Sequence, residues 1–276
     1  MQYSEEEMRS VVISDYIYNP RHRESLSSSF IKELLEEKYE LNKNHIIERL
    51  KSWKKYGEKL DRIPEVQDLQ ESSAPFWNND WCSGLSAVSL YCMVSEHNPR
   101  YYVECGSGNS TRFVARAIKD NSLRTQIISI DPQPRAEVDA LCHTVIRSGL
   151  EDVRLSFFDE LTSEDFIVLD SSHRAFSNSD VTVFFTEILP RLPHGLVYAM
   201  HDIFLPYDYP KAWVEEQKLF YNEQYLLAAY LLGGAMNDTI ELPLYFLWTK
   251  EDMKEIFDSI TIRKHARPSF FWMSKG

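Results

Sequence analysis

The stretch Tyr101–Ile118, YYVECGSGNSTRFVARAI, decides the fold, because an apolar run meets two glycines and then changes to a helical pattern. The apolar run predicts a buried strand, and the polar residues 109–111 predict the capped start of a helix. Gly106 and Gly108 between them allow a sharp turn and leave the backbone bare. The stretch therefore predicts a strand, a turn that a small charged ligand can approach closely, and a helix.

The sequence after residue 75 alternates between apolar runs and helical patterns. Continuous apolar strands that alternate with helices are typical of a mostly parallel sheet covered on both faces. We therefore predict an α/β, doubly wound, Rossmann-like domain. The predicted strands are residues 100–106, 124–132, 151–158, 165–173, 194–204, 242–248 and 267–275, and the predicted helices are residues 83–97, 110–120, 134–149, 180–192 and 212–232.

Residues 25–70 are strongly charged and carry apolar residues at helical spacing. They predict two amphipathic helices, with Ser27–Ser29 as the cap of the first and Gly57 and Pro64 at the end of the second. The pair either packs on the main domain or serves as a lid or dimerisation arm. We predict an N-terminal helical extension, residues 1–74, followed by the sheet domain, residues 75–276.

Length, composition and net charge favour a folded protein with a small-molecule ligand over a nucleic-acid-binding or membrane protein. The chain has 276 residues, of which 43% are hydrophobic, and this is enough for a sizeable core. Its net charge of -12 argues against general binding to nucleic acid or to an anionic membrane. The four cysteines are scattered, and no signal peptide or membrane-spanning apolar run is visible. We predict a cytoplasmic protein that acts on a small molecule, with no nucleic-acid or membrane partner, and a homo-oligomer is left open.

Two carboxylates flank the glycine turn and indicate what it binds. Glu104 precedes the glycines, where it would repel a pyrophosphate but suit an ammonium or sulfonium group. Asp131 ends the next predicted strand, where an acid can hold ribose hydroxyls. Thr111 stands where a dinucleotide fingerprint has its third glycine. The turn therefore favours a nucleoside with a cationic, amino-acid-like arm over a nicotinamide dinucleotide.

At these residues the chain resembles the class I S-adenosylmethionine (SAM)-dependent methyltransferases. VECGSGN, residues 103–109, is similar to the first family motif, and SIDPQ, residues 129–133, is similar to the second. The resemblance implies the strand order 3-2-1-4-5-7-6, the methionine part of SAM at the glycine turn, its ribose on Asp131, and its adenine near SFFDEL, residues 156–161. The cofactor-binding residues that we predict on this basis are Glu104, Gly106, Ser107, Gly108, Asn109, Asp131 and Phe158.

Two later strand ends carry acids and histidines. FIVLDSSH places Asp170 at the end of one predicted strand with His173 three residues later, and VYAMHDIF places His201 and Asp202 at the end of the next. Adjacent parallel strands lie about 4.8 Å apart, so Asp170 and Asp202 are expected side by side at the edge that holds the cofactor. A divalent cation would remove the cost of two close carboxylates. Taken singly, these residues also allow ordinary structural roles: Asp170 could cap the following segment, His173 could be exposed, and Asp202 could pair with an arginine.

The segments DSSH, residues 170–173, and HDIFLPYDYP, residues 201–210, are similar to a bacterial family of small methyltransferase-like proteins and to metal-dependent sugar O-methyltransferases. That resemblance implies Asp170 and Asp202 as magnesium ligands and His173 as the general base. His201 stands where those enzymes have an acid; an imidazole suits manganese, iron, zinc or nickel better, or the change means that no metal binds. We predict His173 and Asp170 as catalytic residues, and Asp170, His201 and Asp202 as ligands of a divalent metal such as Mg, Mn or Fe.

Together these features predict a SAM-dependent methyltransferase that methylates a hydroxyl group of a sugar or secondary metabolite. A bound metal would assist by making that hydroxyl more acidic. Two alternatives stay open: an iron site of His173, His201 and one aspartate that does oxidative chemistry, or a binding protein that kept the fold without the reaction. Binding of SAM separates the first prediction from both alternatives.

Overall fold

The computed structural model describes residues 18–24, 29–68, 70–134, 136–260 and 267–276. The predicted caps Ser27 and Ser28 and the predicted helical residue 135 lie outside these ranges. The described part is built around a seven-stranded sheet with the order β3-β2-β1-β4-β5-β7-β6. Its strands are β1 Tyr101–Cys105, β2 Gln126–Ile130, β3 Thr144–Ile146, β4 Phe166–Leu169, β5 Val197–Met200, β6 Thr239–Pro243 and β7 Phe271–Ser274.

Strands β1 to β5 run parallel, whereas β7 runs antiparallel to both of its neighbours. Every residue of β4 and β5 is buried, as expected for apolar runs that are covered on both faces of the sheet. The order of the strands reverses at β1, which pairs with β2 on one side and with β4 on the other. Ligands of doubly wound sheets bind at such a point, beyond the carboxyl ends of the strands. The predicted fold class and strand order are confirmed.

The helices and the sheet share one hydrophobic core, which includes residues from Ile31 to Met273. The helical segment α6 continues through a wider and then a tighter turn as far as Arg191. None of the helices in the described ranges is both long and apolar enough to span a membrane. The helices are α1 Phe30–Ser52, α2 Gly57–Leu60, α3 Gly84–His97, α4 Asn109–Asn121, α5 Ser156–Asp159, α6 Asp180–Val183, α7 Glu223–Leu232, α8 Leu244–Trp248 and α9 Lys254–Ile260.

The third strand was placed wrongly by the sequence pattern. Residues 134–149 were predicted as a helix, but their described part contains a short 3-10 helix, Asp139–Leu141, and then β3. Residues 151–158 were predicted as a strand, but they hold the end of the 3-10 helix Leu150–Asp152 and most of α5. The reason is that β3 is a three-residue edge strand with exposed residues, so it lacks the apolar run that marks the central strands.

Two predictions near the end of the chain are also corrected. Residues 242–248 were predicted as a strand, but β6 ends at Pro243 and the apolar residues that follow form α8. Residues 212–232 were predicted as one helix, but a wide helical turn, Ala212–Glu216, is separated from α7. Lys218 and Phe220, which lie in the break, have φ of 52 and 56, and left-handed residues cannot continue a right-handed helix. The break brings residues 217–222 to the carboxyl edge of the sheet.

The N-terminal segment forms one helix where two were predicted, because α1 runs without a break for 23 residues. Gly57 has a helical φ of -51 and begins α2, so it does not end a helix. Tyr39 packs edge-on against Phe246 of α8, with 6.0 Å between the ring centroids. The helix therefore packs on the sheet domain, as one of the two alternatives predicted. A boundary at residue 74 and a role as a lid or dimerisation arm stay predictions.

Candidate active site

The glycine turn joins β1 to α4 at the point where the strand order reverses. Gly106 has φ of +85 and donates its N–H to the carbonyl of Ile130, at 2.9 Å. A Cβ on Gly106 would lie 1.8 Å from the carbonyl oxygen of Asp170, so only glycine lets the loops after β1 and β4 approach so closely. A Cβ on Gly108 would meet open space, and its N–H donates to the Thr111 hydroxyl at 2.9 Å. The backbone around Gly108 is therefore bare towards the cavity, as predicted.

Asp131 is held at the end of β2 by the glycine turn itself. Its two carboxylate oxygens accept the backbone N–H groups of Ser107 and Gln133, each at 2.7 Å. The side chain lines a large cavity above the carboxyl edge of the sheet, together with Gly106, Ser107, Gly108 and Asn109. Two backbone donors fix the direction of the carboxylate and leave it able to accept further hydrogen bonds from a ligand. The turn and Asp131 are therefore brought together as predicted.

Glu104 occupies a different place from the one predicted. It is fully buried in β1 and is absent from the cavity wall. Its carboxylate accepts hydrogen bonds from the hydroxyls of Tyr102, at 3.1 Å, and Thr111. Burial raises the pKa of Glu104 to about 7, which those hydroxyl donors oppose. Glu104 therefore braces the turn from below, and direct contact with a ligand is not supported.

Phe158 also departs from its predicted role as a cofactor-binding residue. It is fully buried in α5 and packs edge-on against Phe157, with ring centroids 5.1 Å apart. It belongs to the hydrophobic core, because its ring completes the packing beneath α5. The cavity wall beyond β3 is formed instead by Gly149, Leu150 and Glu151. The segment 149–151 is thus better placed than residues 156–161 to contact a nucleobase.

The acidic and histidine cluster lies where β4 and β5 end. Leu169 pairs with Met200 in the parallel register, so Asp170 and His201 follow at the same level. The N–H of Asp170 donates to the carbonyl of Cys105 at 2.8 Å, and Nδ1 of His201 lies 3.1 Å from Oδ1 of Asp170. The predicted adjacency of the two strand ends is therefore confirmed.

His173 and Asp202 complete the cluster from the two following loops. Nε2 of His173 lies 3.5 Å from Oδ1 of Asp170 and 3.6 Å from Oδ2 of Asp202. Both residues have left-handed backbones, with φ of 60 at His173 and 56 at Asp202. Left-handed residues other than glycine cost of order 1–3 kcal/mol and concentrate at functional sites. The fold thus holds both side chains at the cavity against a local cost.

Glu223, at the start of α7, belongs to the cluster; the sequence offered it as a possible extra ligand but favoured an exposed helix acid. It is fully buried, its Oε1 is hydrogen-bonded to Nδ1 of His173, and its Oε2 has no partner among the described residues. An exposed acid at a helix start is the ordinary expectation for such a sequence position. Nothing in the pattern NEQYLLAAYLL, residues 222–232, marks this one as buried. Its contact with His173 leaves Nε2 as the ring nitrogen directed towards the two aspartates.

Most residues of the candidate site lie in a segment that matches a known protein family. Residues 103–203 match the model of a family described as a methyltransferase domain. The matched segment contains the glycine turn, Asp131, Asp170, His173, His201 and Asp202. This segment is therefore similar to methyltransferase domains. The comparison with curated protein sequences gave no match.

Solved structures of methyltransferases are similar to this chain at low identity. The SAH-bound methyltransferase PaMTH1 of Podospora anserina is 12% identical, with 83% of this chain and 88% of that chain covered and a TM-score of 0.43. MycE, from the mycinamycin biosynthetic pathway and bound to Mg and SAH, is 16% identical, with 78% and 55% covered and a TM-score of 0.41. This chain therefore spans little more than half of MycE. The O-methyltransferase TomG of Streptomyces achromogenes, bound to SAM, is 15% identical, with 83% and 90% covered and a TM-score of 0.41.

The two histidines of the cluster, His173 and His201, have strongly perturbed pKa values. Burial lowers the pKa of His173, but Glu223, Asp202 and Asp170 outweigh it and raise that pKa to about 10. Burial likewise lowers the pKa of His201, which Asp170 and Asp202 raise to about 9. Both imidazoles are therefore protonated at neutral pH, where they neutralise the carboxyl groups around them.

The protons on His173 and His201 affect whether the predicted metal site can bind a metal ion. Asp170, His201 and Asp202 are brought together, but the described residues contain no group of three or more His, Cys, Asp or Glu side chains that could hold a metal ion. A protonated imidazole has no lone pair to give to a metal. A metal bound here, whether magnesium or iron, would have to displace those protons. The role of these residues as metal ligands stays a prediction.

The cavity above the carboxyl edge of the sheet has a volume of about 2490 Å³ and extends beyond the cluster. Part of its lining is aromatic: Phe176, Trp213, Phe220 and Tyr221 form what we term the aromatic wall. Tyr221 packs against His173, with 4.5 Å between ring centroids, and Trp213 packs against Tyr221 at 5.7 Å. Phe220 is 48% exposed and Phe176 is 43% exposed, so the wall presents apolar surface to the cavity. Apolar surface left open in a cavity is typical of a binding site.

The mouth of the cavity is bordered by residues 18–24, which the sequence patterns did not connect with the site. Tyr18, Arg21 and Arg23 line the cavity. The N–H of Arg23 donates to Oδ2 of Asp208 at 2.7 Å, and the N–H of His22 donates to Oε1 of Glu215 at 3.1 Å. Two carboxylates on the segment after β5 thus fix this part of the N-terminal region against the sheet domain.

The free energy of unfolding of the protein is expected to fall between pH 7 and pH 10. The folded pKa values of His173 and His201, about 10 and about 9, exceed the ordinary value of 6.5. Their protonation therefore stabilises the fold fully below pH 6.5 and is lost as the pH rises through 9 to 10. Each group contributes a slope of about 1.4 kcal/mol per pH unit within its window. Urea unfolding at pH 7, 8 and 9 measures the slope, and a His201→Asn variant should show a shallower one. Equal slopes in both proteins would contradict this account.

Proposed function

We propose that this chain transfers the methyl group of SAM to a hydroxyl group of a small-molecule acceptor. The observation that carries the proposal is that the glycine turn and the cluster of Asp170, His173, His201 and Asp202 line the same cavity. A methyl donor and a group that removes a proton must meet at one point for this reaction. The cavity of the methyltransferase domain supplies both along one edge of the sheet.

The cofactor is proposed to lie along the carboxyl ends of β1 and β2. The residues fit it: the backbone at Gly108 is open, and the carboxylate of Asp131 is fixed with acceptor capacity to spare for ribose hydroxyls. Leu150 and Glu151 would border its nucleobase. When bound, SAM supplies an electrophilic methyl group on a positively charged sulfur. The acidic character of the cluster favours that positive charge.

His173 is proposed to accept the proton of the acceptor hydroxyl at Nε2. Its Nδ1 is engaged by Glu223, which fixes the ring and stabilises the imidazolium that forms. In the free protein His173 is already protonated, because its pKa is about 10. Positive charge entering the same cavity lowers that pKa and favours the neutral imidazole that the reaction requires. Asp170 and Asp202 then hold the hydroxyl and the imidazole ring in place.

The acceptor is proposed to be a hydroxylated ring compound, such as a sugar-bearing or phenolic natural product. The aromatic wall adjoins His173 through Tyr221, so a ring that stacks on the wall brings its hydroxyl groups near Nε2. Sugars and aromatic rings both present flat apolar faces to aromatic side chains. Trp81, which lines the same cavity and is 55% exposed, would add to this surface.

Calorimetry and a labelling assay test the proposal. SAM and its product S-adenosylhomocysteine (SAH) are titrated into the full chain, and we expect Kd values in the micromolar range, about -8 kcal/mol. The protein is then incubated with SAM carrying a ¹³C-methyl group and a set of catechols, glycosides, amines and thiols. A labelled methyl ether supports the proposal. No binding of SAM or SAH would refute it, and labelling confined to amines or thiols would refute the choice of a hydroxyl acceptor.

A further inference from the structure

Arg112 is a buried cation that has no carboxylate partner among the described residues. It lies in the first turn of α4, four residues after Gly108, and is only 5% exposed. Its NH1 donates to Oδ1 of Asn109 at 3.1 Å, whereas its Nε has no hydrogen-bond partner within the described ranges. The face of its guanidinium group lies over the ring of Phe76, 5.7 Å from the centroid. Arg112 thus combines a full positive charge with unused hydrogen-bond donors.

Other arginines of the described chain show how unusual this is. Several of them pair with a carboxylate: Arg49 with Glu241, Arg100 with Asp165, Arg116 with Asp120, Arg124 with Glu164, Arg147 with Asp139 and Arg191 with Asp159. The side chains of these arginines are more exposed to solvent than Arg112. Because Arg112 is the most buried of them, its charge gains least from water and most needs an anionic partner. Burial of an unpaired charge costs several kcal/mol. Burial accordingly lowers the pKa of Arg112.

The unpaired guanidinium group faces the cavity beside the glycine turn. Arg112, Asn109 and Ser110 all line it, next to Gly108. The first N–H groups of a helix have no acceptor within the helix, and the helix dipole adds partial positive charge there. The 13-residue α4 directs this end towards the turn. Guanidinium and helix start together form a site for a small anion, and a carboxylate matches the planar fork of an arginine.

We propose that Arg112 and the first turn of α4 bind the α-carboxylate of the amino-acid arm of SAM. The inference rests on the proposed function, since it concerns how the same cavity holds the cofactor. In this arrangement the carboxylate of SAM contacts the start of α4, and the positively charged sulfur lies near the acidic cluster. It also explains why Arg112 is buried without a partner: the carboxylate of the ligand completes the ion pair.

The test compares two ligands that differ only in the carboxylate, SAM and decarboxylated SAM. In calorimetry the wild-type chain should bind SAM roughly 10- to 100-fold more tightly, as expected for a charge-assisted contact. Arg112→Gln should weaken SAM binding by the same factor and leave decarboxylated SAM within about threefold of wild type. Arg116→Gln is the matched control, because Arg116 lies one turn later on α4 and pairs with Asp120, and it should behave as wild type.

A thermal readout separates ligand binding from a structural role. Removing an unpaired buried charge should leave the melting temperature of the ligand-free Arg112→Met variant unchanged or raise it, while the increase caused by SAM is largely lost. The inference is overturned if Arg112→Gln keeps the preference for SAM, or weakens both ligands equally. If the wild-type chain binds neither ligand, the proposed function is wrong, and the inference about Arg112 is wrong as well.

Discussion

Replacing His173 by alanine is expected to lower kcat by roughly 10²- to 10⁴-fold, the range typical for loss of a general base. Its Nε2 is the ring nitrogen that is not held by Glu223, and it lies between the aspartates at the cavity. The Kd for SAH should stay within about threefold of wild type, because the glycine turn and Asp131 do not contact His173. Steady-state rates with the acceptor identified by labelling, together with SAH calorimetry, measure the two effects separately.

The alanine variant leaves the buried Glu223 without its hydrogen-bond partner and could lose activity because it unfolds. A second variant separates that effect from the loss of the base. His173→Gln keeps a side chain that can donate to Glu223 but cannot take up a proton at neutral pH. It should fold like wild type and be as inactive as the alanine variant. His45→Ala, at an exposed position on α1, is the control for histidine loss in general. An active His173→Gln enzyme would show that His173 only supports the structure.

The pH dependence gives an independent check on the same residue. Because the pKa of His173 is raised to about 10 in the free protein, kcat/KM for SAM should rise with pH from 7 towards 9 as the neutral imidazole becomes populated. Among the groups that raise this pKa, Glu223 contributes most. Glu223→Gln should therefore lower the pKa and move the rise to lower pH, whereas a purely structural role would lower the rate without moving it.

The central strands could be predicted from sequence because their burial leaves a simple pattern. β1, β4 and β5 are largely apolar runs, and each is followed directly by a residue that lines the cavity, namely Gly106, Asp170 and His201. The edge strand β3 has three residues and little burial, so a pattern that relies on apolar runs passed over it. The apolar residues of α8 were taken for a strand, because short apolar runs do not distinguish a buried helix from a buried strand.

The residues of the candidate site also fall into those that the sequence pattern could predict and those that it could not. Residues that follow a strand directly, such as Asp131, Asp170 and His201, were placed correctly because parallel strands end at one edge. The sequence favoured an exposed acid at Glu223 and did not single out Arg112, since their importance depends on what is buried beside them and neither follows a strand end. Glu104 was assigned to the ligand although its carboxylate turns to Tyr102 and Thr111. The direction of a side chain at a strand end depends on packing that a pattern does not contain.

Gly106→Ala is expected to destabilise the fold by more than about 3 kcal/mol, since a strained backbone and a steric clash each cost of order 1–3 kcal/mol. The φ of +85 belongs to the region that alanine rarely adopts. The new Cβ would also lie 1.8 Å from the carbonyl oxygen of Asp170, which is backbone and cannot rotate away. Relief requires that the loops after β1 and β4 move apart, and this displaces Asp170 from the cluster.

Gly108→Ala is the matched control for this prediction. Gly108 is two residues away in the same turn, has an extended φ of 169, and a Cβ there meets nothing within 4 Å. Its stability in urea unfolding should lie within about 1 kcal/mol of wild type. Its Cβ points into open space beside the turn, so any loss should appear in the Kd for SAH. If Gly106→Ala were as stable as Gly108→Ala, the close approach of the two loops would not depend on glycine. The link from the glycine turn to the position of Asp170 would then have to be abandoned.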